Sequence, residues 1–352
     1  MKKSTNLGKI SLCIAVAAAT MAFTGCTKYK LVAVEDSVAD SVTGSSTAAA
    51  SSSGAQSTTG GLPTSDKLAT EALPETETAA QTESTAEAAS SSTAADDGKL
   101  QIVVLGDSIF DNYRTPSGIA SLVASDLNAN VYNMAVAGTP AGLPLDCPNN
   151  FDKFNISNFI GVAHVLTGDI DPSLLKGENA EKVYGTFDPA KTDYFIVEYG
   201  INDFLSSIPR ESDMSSRELQ MYSYRGGLQN GIEALQGKFP DAQIILMAPG
   251  YTQFWNNGSM IGDCNTVDRG FGRLIDYTST AVNLAQQMNI PYINSYEDVD
   301  INGYSASDCL QDGIHPTDEG CRRYAAAIET KIKELEDAKN GTTETSSASE
   351  SK

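Results

Sequence analysis

From residue 99 onward the chain alternates short apolar runs with longer stretches of helical spacing. Residues 100–105, 130–135, 194–199 and 243–247 form apolar runs of strand length, and 291–294 makes a shorter fifth. Apolar runs this short, bounded by glycine or polar residues, read as strands buried on both faces. Between them, 116–127 places Ile119, Leu122, Val123 and Leu127 on one side of a helix. Helical spacing returns at about 217–238, 267–288 and 317–337, and in the last of these Asp318 and Glu319 suit the positive end of the helix dipole. The stretch 149–177 carries Phe151, Phe154, Phe159, Val162 and Val165 and reads as helical turns inserted after the second strand. Strand–helix alternation predicts a mostly parallel five-stranded sheet with helices on both faces, a three-layer α/β/α domain over 99–338. Functional groups in such a domain gather beyond the carboxyl ends of the strands.

The flanks have a different pattern. Residues 1–9 are basic and polar, 10–23 are apolar and small, and the run closes on Phe23-Thr24-Gly25-Cys26. The apolar stretch has the length of a signal-peptide core and is short for a membrane span. This resembles a bacterial lipoprotein signal over 1–25, which implies lipidation of Cys26 and a lipid-anchored location on the extracytoplasmic face of the cell membrane. Phe23 departs from the pattern, standing where such signals carry an aliphatic residue. An ordinary cleaved signal with a chance cysteine is the alternative. From 26 to 98 the chain turns to Ser, Thr, Ala, Gly and Glu, with too few large apolar residues to offset chain entropy, so it reads as a disordered tether. The tail 339–352 has a similar composition and the same expectation.

Charge narrows the partners. The net charge is −21, and the 99–338 domain alone carries −16. A surface of that sign repels phosphate backbones and anionic lipid, so nucleic acid is excluded and any membrane attachment runs through the N-terminal lipid.

The candidate chemistry lies at the strand ends. The first strand ends Gly106-Asp107-Ser108, which delivers a serine hydroxyl into the following turn. The second ends Ala135-Val136-Ala137-Gly138, where a glycine can bring a backbone N–H close to a substrate oxygen. The third ends Gly200-Ile201-Asn202-Asp203, where the Asn202 amide is a further donor for an oxyanion. Before the last helix comes Asp312-Gly313-Ile314-His315-Pro316, a spacing that lets a carboxylate fix the tautomer of an imidazole in the same turn. The other histidine, His164, sits in an apolar stretch and reads as structural.

Each motif is weak alone. Their order and placement together resemble the SGNH hydrolase superfamily, the GDSL-like esterases and lipases, over nearly all of 100–335. Ser108, Gly138, Asn202 and His315 stand at that family's four signature positions; Ile109 replaces the leucine of the GDSL name. The resemblance implies a flavodoxin-like fold. It also implies Ser108 as nucleophile, His315 as general base, Asp312 orienting it, and an oxyanion hole of the Ser108 and Gly138 N–H groups with the Asn202 side chain. No metal or cofactor is called for, since no ligand motif is present.

Four cysteines lie in the domain: Cys147, Cys264, Cys309 and Cys321. An even count outside the cytoplasm allows three pairings. Cys309–Cys321 would brace the Asp312–His315 turn, and Cys147–Cys264 would tie two loops on the functional face. Tyr251, Phe254 and Trp255 follow the fourth strand; such aromatics either stack on sugar rings or pack their own loop. The resulting expectation is an extracellular serine esterase removing short acyl groups, acetyl above all, from small-molecule or polysaccharide esters. A lysophospholipase or thioesterase is the enzymatic rival, and a catalytically inactive carbohydrate-binding lipoprotein is the other.

Overall fold

Five parallel strands form the sheet at the centre of the molecule, in the order β2-β1-β3-β4-β7. They are β1 (Gln101–Gly106), β2 (Asn130–Asn133), β3 (Tyr194–Glu198), β4 (Gln243–Ala248) and β7 (Tyr292–Asn294), with β5 (Gln253–Asn256) and β6 (Ser259–Asp263) forming a separate antiparallel pair. The computed structural model describes residues 97–349. The expected leader, Cys26 and all but the last two residues of the expected tether lie outside the described residues. No helix among the described residues is long and apolar enough to cross a membrane.

Sequence and position in the sheet agree. The three inner strands β1, β3 and β4 are apolar and buried almost throughout, and the central β3 is buried along its whole length. The edge strand β2 (Asn-Val-Tyr-Asn) is only partly buried, and β7, at the other edge, has three residues. Helices Phe159–Thr167, Tyr224–Lys238 and Leu274–Met288 pack side by side, and Ile119–Asp126 packs against the last helix, Asp318–Ser349. Strand order reverses between β1 and β3, so their carboxyl ends open the crevice where ligands bind in sheets of this topology. The expected three-layer α/β fold with five parallel strands is the fold observed.

Several elements differ from expectation. The helix expected over 217–238 is broken into Arg217–Gln220 and Tyr224–Lys238, because the Ser223 hydroxyl accepts the Gly226 N–H and starts a new helix there. The helix expected from 267 begins at Leu274, after a loop in which Gly270 and Gly272 have positive φ. The region 149–177 holds one α-helix, Phe159–Thr167, between two short 3-10 turns. The last helix runs to Ser349, so the tail expected to be disordered from 339 continues it that far. Extension of an existing helix escapes the cost of nucleation, and Lys339 anchors that stretch through Glu336 and the Tyr194 hydroxyl.

The expected disulfides are not formed. Cys264, Cys309 and Cys321 are free thiols, all buried, which removes both the 309–321 and the 147–264 bridge. Helix geometry gives the reason for the first. Glu319 and Arg323 pair at i,i+4 on one face of the last helix, and the Cys309 thiol lies among Ser305, Arg323 and Glu319. Cys321 lies about 200° around from Glu319 and turns to Ile119 and Asp318 instead. Burial pushes the Cys264 and Cys321 thiols up to about 11, so both are held as neutral S–H.

Candidate active site

β1 ends at Gly106, and the chain turns directly into the short helix Ser108–Asp111. Asp107 is fully buried and caps that helix, its Oδ1 accepting the Ile109 N–H at 3.0 Å. The turn leaves Ser108 8% exposed, with its Oγ 3.0 Å from His315 Nε2. On the far side of the ring, His315 Nδ1 lies 2.7 Å from Asp312 Oδ2. Asp312 Oδ1 accepts the backbone N–H of Ile314 at 3.0 Å and of His315 at 2.8 Å. One carboxylate therefore shapes its own turn and holds the imidazole. A donating Nδ1–H leaves Nε2 as the acceptor for the serine hydroxyl.

Gly313 makes the turn possible. It has φ +89°, and a β-carbon there would lie 2.3 Å from the Gln253 carbonyl oxygen. The Gln253 N–H donates to the Gly313 carbonyl at 2.8 Å, so the β5–β6 hairpin supports the acid–base turn from behind.

Electrostatics follow from these contacts. Burial works against ionisation of Asp312, but hydrogen bonds from the His315 ring and from two backbone N–H groups outweigh it and hold this carboxyl well below the usual range. His315 is raised above its ordinary 6.5, chiefly by its bond to Asp312, with burial opposing and the charge of Asp107 adding to the rise.

The other flank of Ser108 is assembled from two further strand ends. β2 is carried past its last paired residue by the Val136 N–H, which donates to the Gly106 carbonyl at 2.9 Å, two residues before Gly138 and two before Ser108. Gly138 has φ +75°, and a β-carbon would meet nothing within 4 Å. Glycine is thus required here for backbone conformation, not for lack of room. Asn202 sits in the first turn after β3, its Nδ2 donating to Asp107 Oδ2 at 2.9 Å. That bond occupies one amide hydrogen and leaves the second. The structure thus brings Ser108, His315 and Asp312 into a hydrogen-bonded chain and sets Gly138 and Asn202 at the neighbouring strand ends.

Sequence reasoning passed over the carboxylates that brace this side. Asp111 accepts the Ala137 N–H at 2.8 Å, Arg114 Nε at 2.8 Å and Asn179 Nδ2 at 2.9 Å. Arg114 also donates to the carbonyls of Asn133 and Ala135. On the other flank of Gly138, the fully buried Asp203 accepts the N–H groups of Ala141 and Gly142, each at 2.8 Å. Burial pushes Asp203 up to about 7 despite those two bonds. The available signal was an acidic residue one helical turn after Ser108, and a second directly after Asn202.

Other expected residues fall away from the chemistry. His164 is buried between Asp169 and Asn230 and packs on Phe151, a structural role as expected. Tyr251 and Phe254 are buried in loop packing, Phe254 against Phe204. Trp255 alone of the three is exposed, at 51%, with its indole against Gly313.

A serine hydroxyl held on a tautomer-fixed imidazole, at the switch point of a parallel sheet, is the arrangement of a serine hydrolase. The chain belongs to the GDSL-like Lipase/Acylhydrolase family, whose model matches residues 104–323, and it is an ester-hydrolysing enzyme of that family. One solved structure is 18% identical, covers 67% of this chain and 97% of its own, and superposes with a TM-score of 0.50, which shows the shared fold. A possible lipase from Chitinophaga pinensis is also 18% identical, covering 67% and 99%, with a TM-score of 0.44. A lipase/acylhydrolase from Enterococcus faecalis is 19% identical, covering 67% and 97%, with a TM-score of 0.39. No curated protein matches.

Proposed function

We propose that this chain cleaves carboxylic esters through an acyl-enzyme on Ser108. His315 Nε2 takes the Ser108 proton as Oγ bonds to the ester carbonyl carbon. The carbonyl oxygen becomes an oxyanion, met by the N–H groups of Ser108 and Gly138 and the free N–H of Asn202. Collapse of the intermediate breaks the bond to the alcohol oxygen, which leaves with the proton from His315. Water, deprotonated by the same ring, then frees the acid and restores Ser108. Asp312 stays ionised throughout and stabilises the imidazolium. The observation that carries this reading is the chain of two short contacts, Asp312 Oδ2 to His315 Nδ1 at 2.7 Å and His315 Nε2 to Ser108 Oγ at 3.0 Å.

A fluorophosphonate probe tests it. Wild type is labelled once, and Ser108→Ala is not labelled while keeping its melting temperature. Equal labelling of the variant, or no labelling of wild type, rejects the assignment and favours a binding module.

For substrate, we favour short acyl esters carried on carbohydrate. The exposed Trp255 indole beside Gly313 supports this, since a flat ring at the mouth suits a sugar face. The pattern ending in Cys26 supports a lipid-anchored, extracytoplasmic enzyme that meets such polymers outside the cell. Met260, Ile261 and Phe271, exposed near Trp255 in sequence, favour a second reading in which the enzyme takes long-chain acyl esters. A panel of acyl esters from acetyl to palmitoyl separates them: the first reading expects kcat/KM to fall with chain length, and a rise supports the second.

A further inference from the structure

Directly behind the nucleophile lie two buried carboxyls that the steps above do not use. Glu198 ends β3 beside Gly106 and is 3% exposed, and Asp107 is fully buried. The two carboxyls lie close enough for each to act on the other's ionisation. Ionised carboxylates only accept, so two that adjoin in a buried site repel unless one of them carries a proton to share. The surroundings decide which. Burial raises Asp107 to about 6, but the Ile109 N–H, the field of His315 and the Asn202 Nδ2 all favour its charge and limit the rise. Glu198 is helped only by the Asp107 backbone N–H, and its Oε2 is buried with no donor among the described residues. Burial and the adjacent Asp107 charge push Glu198 well above the usual carboxylate range, so the proton sits on Glu198.

We propose that Glu198 is a positioning residue for the oxyanion hole: as a neutral acid donating to Asp107, it fixes the carboxylate that aims the Asn202 amide. An asparagine amide turns freely about its last torsion. Tying one hydrogen to Asp107 sets the direction of the other, which is the one left for the oxyanion. The neutral acid has a second effect. A full negative charge on Asp107 would oppose the developing oxyanion, and a hydrogen bond from Glu198 draws part of that charge away. This inference rests on the reading of Ser108 as nucleophile and Asn202 as oxyanion donor.

The test uses the full-length enzyme and p-nitrophenyl acetate, with Glu198→Gln and Glu198→Leu each made in wild type and in Asn202→Ala. Gln keeps a neutral donor and holds kcat within about threefold of wild type. Leu removes the donor and lowers kcat about 10- to 100-fold, with KM within about twofold, because a misaimed donor loses part of what a deleted one loses. In the Asn202→Ala background the same Leu substitution costs less than about threefold, since the group it positions is already gone. Equal loss in both backgrounds, or a Leu variant at wild-type kcat, overturns the proposal. If the Leu variant does not fold, infrared difference spectra of wild type against Glu198→Gln decide. A protonated-carboxyl band at neutral pH that vanishes in Gln supports it, and its absence from wild type overturns it. Turnover by Ser108→Ala, or wild-type kcat in Asn202→Ala, defeats the underlying reading of the site instead, and the infrared band tells the two failures apart.

Discussion

The two halves of the site are built on opposite plans. The acid–base half lies within four residues: Asp312 holds the backbone of Ile314 and His315 and the ring of His315, with its side chain 53% exposed. The half proposed to hold the oxyanion draws Gly138 and Asn202 from two strands more than sixty residues apart, and its braces are buried carboxyls: Asp107, Asp111 and Asp203. A local turn needs little from the rest of the fold and tolerates water. A site assembled across strands must be tied by groups whose burial is unfavourable unless every lone pair finds a donor. Here the donors are the backbone N–H groups that have to be placed, so satisfying the carboxylate and positioning the loop are one event.

The largest effect that separates the halves is expected from Asp312→Asn. The amide can still bond His315, but it no longer stabilises the imidazolium and can hold the wrong tautomer, which costs about 10³- to 10⁴-fold in kcat. The pH profile carries the sharper signature. Only neutral His315 accepts the Ser108 proton, so activity rises as pH climbs through the His315 pKa, which lies above 6.5 in wild type because of Asp312. In Asp312→Asn the chief raising influence is gone while burial and the weaker pull of Asp107 remain, so the inflection of kcat/KM moves down. An unmoved inflection shows that another group is being titrated. Asn202→Ala is expected next, at about 100- to 1000-fold in kcat. Because this substitution leaves the acid–base turn intact, its pH inflection stays at the wild-type position; a shift means that the two halves are coupled more tightly than their separate construction implies.

The same contrast governs what could be read from the sequence. All five sheet strands were legible within a residue or two, the inner three because a short, continuously apolar run bounded by glycine or polar residues suits a strand buried on both faces. The Asp312–His315 turn was legible because cause and effect lie within one short segment. The braces were not. Nothing near Asp203 in the chain reveals that its carboxylate meets Ala141 and Gly142, some sixty residues earlier. Glu198 reads simply as the polar end of an apolar strand. The β5–β6 hairpin does carry a local signal: Asn257-Gly258, both at positive φ, is the dipeptide that favours two-residue hairpin turns. The cysteines erred in the other direction. Spacing suggested a brace across the acid–base turn, but helix periodicity turns Cys321 away from Cys309.

The smallest of these effects is expected from Asp203→Asn, and it most directly tests whether the buried carboxylates position or merely stabilise. Asn offers one oxygen where Asp203 uses two, so either Ala141 or Gly142 N–H faces an N–H₂ instead of an acceptor. Leaving a buried donor unmet costs about 1–3 kcal/mol in stability, visible as a lower melting temperature. The misplaced segment begins three residues after Gly138, while Asp111 still holds Ala137 from the other side. Displacement at Gly138 should therefore be partial, giving a loss of about tenfold in kcat, well short of deleting a donor, with KM little changed. A lower melting temperature with wild-type kcat assigns Asp203 to the fold alone. A fall in kcat at unchanged stability assigns it to the site alone. Both together, with the tenfold loss absorbed in an Asn202→Ala background, would show that the two oxyanion donors act as one unit across the strands that carry them.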